Sequence, residues 1–142
     1  MFALKLKKKR NYPEQDLCIQ LAKTISEMKA YGIIQSDFML IRMAVGSSIG
    51  DHRKRRLSGA IEKAMGAIDG ASDYICVWRD RLTQQPKILF LEMKVKGNYL
   101  QENQKEFERK VKNAGGPFEV ARSTDEVLQI LRKHGVFFKK IG

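Results

Sequence analysis

Asp73, Glu92 and Lys94 are the residues whose types and spacing could do chemistry together. Glu92 and Lys94 stand two apart in the run 87–94 (KILFLEMK), which is rich in strand-forming residues. Side chains alternate across a strand, so these two share a face while Leu91 and Met93 take the other. Asp73 opens a second such run, 73–78 (DYICVW), shortly after Gly70. If the runs pair, Asp73 and Glu92 converge at one end of a sheet. Two convergent carboxylates suit a hard divalent cation such as Mg2+, which prefers oxygen ligands and keeps several waters. A cation held there lowers the pKa of a coordinated water and offsets charge on a phosphoryl oxygen. Lys94 beside it would orient that water or stabilise the charge that develops. The same Glu92–Lys94 pair is also what a cross-strand surface ion pair looks like. Spacing alone leaves both readings open.

The elements that must position this trio can be read around it. Pro13 suits the first position of a helix, Glu14 and Asp16 favour its positive end, and Leu17, Leu21, Ile25 and Met28 recur at helical spacing. A helix over 13–30, stopped by Gly32, follows. The run 38–45 (FMLIRMAV) reads as a buried strand, 46–50 as a loop and 51–56 (DHRKRR) as a charge run. The stretch 56–70 is ambiguous, because Gly59, Gly66 and Gly70 interrupt a short helical turn around Ala60 and Ala64. Strand 73–78 leads through a hairpin-like connection, 79–86, into strand 87–94. Leu100, Phe107 and Val111 mark the apolar face of a helix that ends near Gly115 and Gly116. A short strand, 118–121, comes next. Ser123 with Glu126 three residues later is a capping-box arrangement for a last helix reaching about His134. Helix, strands, helix, strand, helix implies an α/β domain with a mixed sheet flanked by helices.

Charge narrows the partners. Lys and Arg total 27 against 16 Asp and Glu, a net +11 in 142 residues, with a pI near 9.8. Such an excess favours a polyanion, nucleic acid ahead of a membrane surface. Lys8, Lys9 and Arg10, together with Arg53, Lys54, Arg55 and Arg56, could track phosphates, although charge runs are often only solvated surface. The length suits one domain over 1–142, with 1–12 as a basic leading segment. No apolar run approaches the roughly 20 residues of a membrane span. Cys18 and Cys76 sit among apolar residues with no ligand spacing, as buried free thiols in a reducing compartment would. The basic residues in 1–10 follow a very short apolar patch, the wrong order for a secretory signal, and a cytoplasmic protein is expected.

The ordered set Gly70-Ala71-Ser72-Asp73, then Leu91-Glu92-Met93-Lys94, then Gly97 and Gln104, resembles the PD-(D/E)XK nuclease superfamily. Within it, the set is most similar to the VRR-NUC family, including its small stand-alone phage and bacterial members. The resemblance runs from about Lys63 to Leu131 and extends to the first helix, where Glu14 stands in the place of the family's helix-borne acid. It implies a restriction-endonuclease-like mixed sheet and a metal-dependent endonuclease acting on DNA in a bacterial or phage-infected cell. It further implies that Asp73 and Glu92 bind Mg2+ or Mn2+, that the backbone carbonyl of Met93 completes the shell, and that Glu14 contributes through a water. Lys94 and Gln104 take the places of the family's catalytic lysine and helix glutamine, while Arg56, Lys63 and Lys96 join the DNA-contacting set. The family's usual proline before the aspartate is Ser72 here, which alters the stiffness of a turn and no ligand.

Stand-alone members of the family imply branched DNA, such as four-way junctions, cut by a homodimer; a two-fold dimer offers two sites to a roughly two-fold junction. Two other readings fit the same residues: a basic DNA-binding module without catalysis, and a nuclease for simple duplex or single-stranded DNA. Tyr99 reads as an ordinary half-buried aromatic, with stacking on a base as the alternative. Asp37, Asp51 and Asp69 are substitutes for Asp73 that open no clear strand, and His52 and His134 lack ligand-spaced partners.

Overall fold

The structure is a computed structural model that describes residues 13–43, 68 and 70–140. Four strands form one mixed sheet in the order β1 (Met39–Arg42), β2 (Tyr74–Arg79), β3 (Pro86–Met93) and β4 (Phe118–Ala121). The pairs β1–β2 and β2–β3 are antiparallel, and β3–β4 is parallel. Three helices flank the sheet: α1 (Pro13–Ala30), α2 (Glu102–Asn113) and α3 (Thr124–Lys133). This is the α/β, restriction-endonuclease-like architecture expected.

Local chemistry sets the helix ends. In α1, Glu14 and Asp16 occupy the first turn and Lys29 the last, while Cys18, Leu21 and Ile25 share the buried stripe. Gly32, at φ +66°, lets the chain turn back so that the Ile33 N–H donates to Met28 O at 2.8 Å. At α3 the Ser123 hydroxyl accepts from the Glu126 N–H at 3.1 Å. The return half of the capping box differs from expectation. The Glu126 carboxylate accepts from the Arg122 N–H at 2.7 Å, one residue ahead of the cap.

The sheet has unlike faces. Tyr74, Cys76, Trp78, Leu89, Leu91 and Met93 pack with α1 and α3 into the main core. On the other face, Phe107 and Val111 of α2 cover Phe90, Phe118 and Val120. The Phe107 ring stands edge-on to both Phe90 and Phe118, at 5.6 and 6.2 Å between centroids. Each side chain at the Glu92 end of β3 therefore has a helix layer over it, whichever face it takes.

Strand limits moved slightly from expectation. β1 spans four residues where eight were expected, with Val45 outside the described residues. β2 starts at Tyr74, leaving Asp73 just ahead of it, and Arg79 pairs with Pro86, so the connection is only 80–85. It is held by Asp80, whose carboxylate accepts from the Thr83 N–H at 3.0 Å and the Thr83 hydroxyl at 2.8 Å. The segments 46–50, 51–56 and most of 56–70 lie outside the described residues. Among the described residues, no helix is long and apolar enough to cross a membrane.

Candidate active site

The register of the central hairpin builds the site. Tyr74 pairs with Leu91, so the next step along the ladder brings Asp73 beside Glu92. The two are locked reciprocally. The Asp73 N–H donates to Glu92 Oε2 at 3.2 Å, and the Met93 N–H donates to Asp73 Oδ2 at 2.8 Å. Lys94 follows β3, and its N–H donates to Ala121 O at 2.9 Å, which extends the parallel ladder past the last paired residue.

Two helix first turns close over this corner. Gln104 lies in the first turn of α2 with both ends of its amide engaged. Its Oε1 accepts from the Gln101 N–H at 2.9 Å, satisfying a free helix-end donor, and its Nε2 donates to Glu92 Oε1 at 3.1 Å. Glu14, in the first turn of α1, places Oε1 3.6 Å from Lys94 Nζ. Lys94 Nζ is also 4.0 Å from Glu92 Oε1. Glu14, Asp73, Glu92, Lys94 and Gln104 thus meet in one corner, drawn from four stretches of chain.

Burial decides one question that spacing left open. Glu92 is 3% exposed and Lys94 4%, so the pair is not the surface ion pair that would be their bland explanation. Burial first, and then the neighbouring Asp73 charge, pushes the Glu92 carboxyl up to about 8 from its usual 4.5, with Lys94 pulling the other way. The positive groups beside the two carboxylates, Lys94 and Arg42, do not outweigh the cost of burying a charge on Glu92. That is the imbalance a divalent cation relieves.

The donor chemistry agrees with such a cation. Among the described residues no group of three or more His, Cys, Asp and Glu could enclose an ion. The chain offers two carboxylates and the neighbouring Met93 carbonyl, an all-oxygen set of the kind that water completes around a hard cation. That composition fits Mg2+ or Mn2+ and does not fit a zinc site of thiolates and imidazoles.

Gly70 is fixed by the same corner. It has φ +75°, and a Cβ there would overlap the Asn103 carbonyl and approach Gln104 N to 2.8 Å. The turn leading to Asp73 therefore lies directly on the backbone that carries Gln104. Ser72, standing where a proline is usual, is fully buried and donates its hydroxyl to Tyr74 O at 3.1 Å, bridging over Asp73.

Other expectations fare differently. Lys8, Lys9, Arg10, Arg53, Lys54, Arg55, Arg56, Lys63, Asp51, Asp69 and His52 lie outside the described residues. Lys96 is exposed on the loop after Lys94. Asp37 lies near the β2–β3 connection, at the sheet end opposite Asp73, and accepts from Gln35 Nε2. His134 caps α3 and pairs with Glu119 at 3.1 Å. Tyr99 is not half-buried: it is 78% exposed, because its loop is held by its backbone instead. Arg122 donates to Val95 O at 2.9 Å and to Asn98 O at 2.6 Å, leaving the Tyr99 ring outside. Both cysteines are buried free thiols, and burial pushes the Cys76 thiol up to about 12.

One contact had no local signal in the sequence. Arg42, on β1 opposite Tyr74, donates from Nη1 to Asp73 Oδ1 at 3.3 Å and to Cys18 Sγ at 3.1 Å. Its guanidinium carbon stands 5.3 Å from the centroid of the Tyr74 ring.

No curated protein and no solved structure matches the chain. The VRR-NUC domain model matches residues 9–125, a span that contains α1, the hairpin of Asp73 and Glu92, Lys94, Gln104 and β4. The chain therefore belongs to the VRR-NUC family, a family of nuclease domains that act on DNA.

Proposed function

We propose that the chain is a Mg2+- or Mn2+-dependent endonuclease that hydrolyses phosphodiester bonds in DNA, selects branched DNA such as four-way junctions, and works as a homodimer. The observation that carries the catalytic part is the buried Glu92. It accepts from the Asp73 N–H and from Gln104, and it stands beside a second carboxylate and a buried lysine. Asp73, Glu92 and the Met93 carbonyl would hold the cation, with Glu14 reaching it through a water. When bound, the cation lowers the pKa of a coordinated water and offsets charge on the phosphate.

The chain's own side chains then orient the reaction. Lys94 Nζ, held between Glu92 and Glu14, donates to the attacking water and aims its lone pair at phosphorus. The water oxygen bonds to phosphorus as one ester P–O bond breaks. One product end keeps the phosphate, and the other leaves as a hydroxyl with a proton from solvent. The water's own proton exits through Glu14, whose side chain is partly exposed at the rim. Gln104 keeps Glu92 in register through its bond to Oε1.

A basic module that only binds DNA is the rival from another class. It has no use for two carboxylates at one buried corner, since they repel phosphates and are costly to bury. Asp73→Asn and Glu92→Gln separate the two. Cleavage should fall about a thousandfold or more in each, while junction binding in Ca2+ survives; unchanged cleavage in both removes the site. Cutting a four-way junction and a linear duplex of the same sequence tests selectivity, and equal rates remove that part alone. Light scattering of the active protein tests the dimer.

A further inference from the structure

Asp73 presents its two oxygens to different partners. Oδ2 takes the short bond from the Met93 N–H at 2.8 Å, which leaves Oδ1 as the less tightly held oxygen and the one a cation would meet. Arg42 Nη1 holds Oδ1 at 3.3 Å. A guanidinium does not deprotonate in a protein, so a divalent cation arriving at Oδ1 meets a fixed positive charge already there.

Arg42 is poised to leave. Its side chain is 48% exposed, and it lines a cavity of about 360 Å³ with Gln15, Cys18, Leu40 and Tyr74. Its other hydrogen-bond acceptor is Cys18 Sγ, a neutral thiol whose ionisation is pushed up by burial and by Asp73. A thiol sulfur is a weak acceptor and holds a guanidinium loosely. Asp73 is therefore the only charged partner that Arg42 has among its described contacts, the Tyr74 ring being the other group beside it.

We propose that Arg42 occupies two positions in the working cycle. Without metal it sits on Asp73 Oδ1 and keeps that carboxylate in place. When a divalent cation takes Oδ1, the guanidinium turns to the phosphodiester and pairs with two of its oxygens. The planar fork of Arg matches two phosphate oxygens, and the half-exposed head needs only to rotate about its own stem. Arg42 is in this sense both the cation's competitor and a substrate-binding group. The inference rests on the metal-dependent reading above.

The test separates metal binding from turnover. Mn2+ binding to the full chain without DNA is measured from the free-ion electron paramagnetic resonance signal, for wild type, Arg42→Gln, Arg42→Lys and Asp73→Asn. Single-turnover cleavage is measured in parallel. Arg42→Gln should bind Mn2+ several-fold to about tenfold more tightly, because the competing charge is gone, yet cleave about a hundredfold more slowly. Arg42→Lys should keep Mn2+ affinity near wild type but not recover cleavage, because a point charge lacks the bidentate fork. Unchanged or weaker Mn2+ binding in Arg42→Gln overturns the proposal, as does wild-type cleavage. If wild type binds Mn2+, Asp73→Asn does not, and Arg42→Gln behaves as wild type, the Arg42 proposal falls and the metal reading stands. If wild type binds no Mn2+, the metal reading falls with it.

Discussion

The Asp73 amide donates to the Glu92 carboxylate, while the Asp73 carboxylate accepts from the amide that follows Glu92. Each acid is positioned by the backbone of the other's strand. Glu92 takes a further bond from the Gln104 side chain, and Asp73 one from Arg42. Small shifts in the β2–β3 register would therefore undo both acids at once, since a one-residue slip sends every side chain to the opposite face.

Gln104 is bound at both ends of its amide, and two substitutions should part its roles. Gln104→Leu leaves the Gln101 N–H without its acceptor and Glu92 Oε1 without its donor. Cleavage should fall about 10–100-fold, the usual cost of removing an outer-shell partner of a metal ligand. Gln104→Glu should be worse, because it sets a third carboxylate against Glu92 while still accepting from Gln101. Single-turnover rates at saturating Mg2+ distinguish the two.

Metal-free stability should depend on pH through Glu92. Its folded-state pKa, about 8, lies above the usual 4.5, so the folded protein holds a proton that the unfolded chain gives up. The contribution is fully present below about 4.5 and is lost as pH rises through about 8. Thermal melts in a chelator should therefore fall from pH 5 to pH 8.5 more steeply for wild type than for Glu92→Gln. Mn2+ favours the ionised carboxylate, so its gain in Tm should be larger at pH 8 than at pH 5.5. Parallel pH curves for wild type and Glu92→Gln would show that Glu92 is not the group responsible.

Gly70→Ala tests the close approach of β2's leading turn to α2. The substitution adds a methyl group where Asn103 and Gln104 backbone atoms already stand, at a positive φ. It should cost roughly 1–3 kcal/mol in strain and displacement, readable by urea denaturation. Cleavage should drop further than the loss of folded protein accounts for, because Asp73 and Gln104 are pushed apart. Gly97→Ala is the control: it is strained by φ +91° but has nothing near its Cβ, so it should lose stability with a smaller loss of rate per folded molecule.

Arg122→Ala removes two donors to the carbonyls of Val95 and Asn98. Hydrogen bonds from a charged group contribute about 1.5–3 kcal/mol, so a drop in stability within that range is expected. Amide hydrogen exchange should quicken at Asn98, whose N–H donates to Val95 O. Protection unchanged at Asn98 would mean that the turn holds itself.

The sequence made some of this legible and hid the rest for identifiable reasons. Pro13, the acidic first turn and Gly32 fixed both ends of α1, because capping chemistry is local. The alternation around Glu92 correctly put Leu91 and Met93 on the opposite face, which packs into the main core. It could not reveal that Glu92 and Lys94 are buried too, because that depends on α1 and α2 closing from distant parts of the chain. Arg42 was hidden for a related reason. Within FMLIRMAV it is one basic residue in an apolar run, and only the pairing of β1 with β2 brings it to Asp73. Tyr99 misled in the other direction, since an aromatic after a turn is often packed, and here a backbone clasp by Arg122 replaces that packing.

Lys94 donates its amide to Ala121, so the corner that begins with Glu14 is not closed until β4 is in place. During synthesis, more than a hundred residues must leave the ribosome before the five side chains can meet. A nascent or truncated chain would carry the acids without the geometry. The corner's geometry thus belongs to the completed sheet and not to its central hairpin alone.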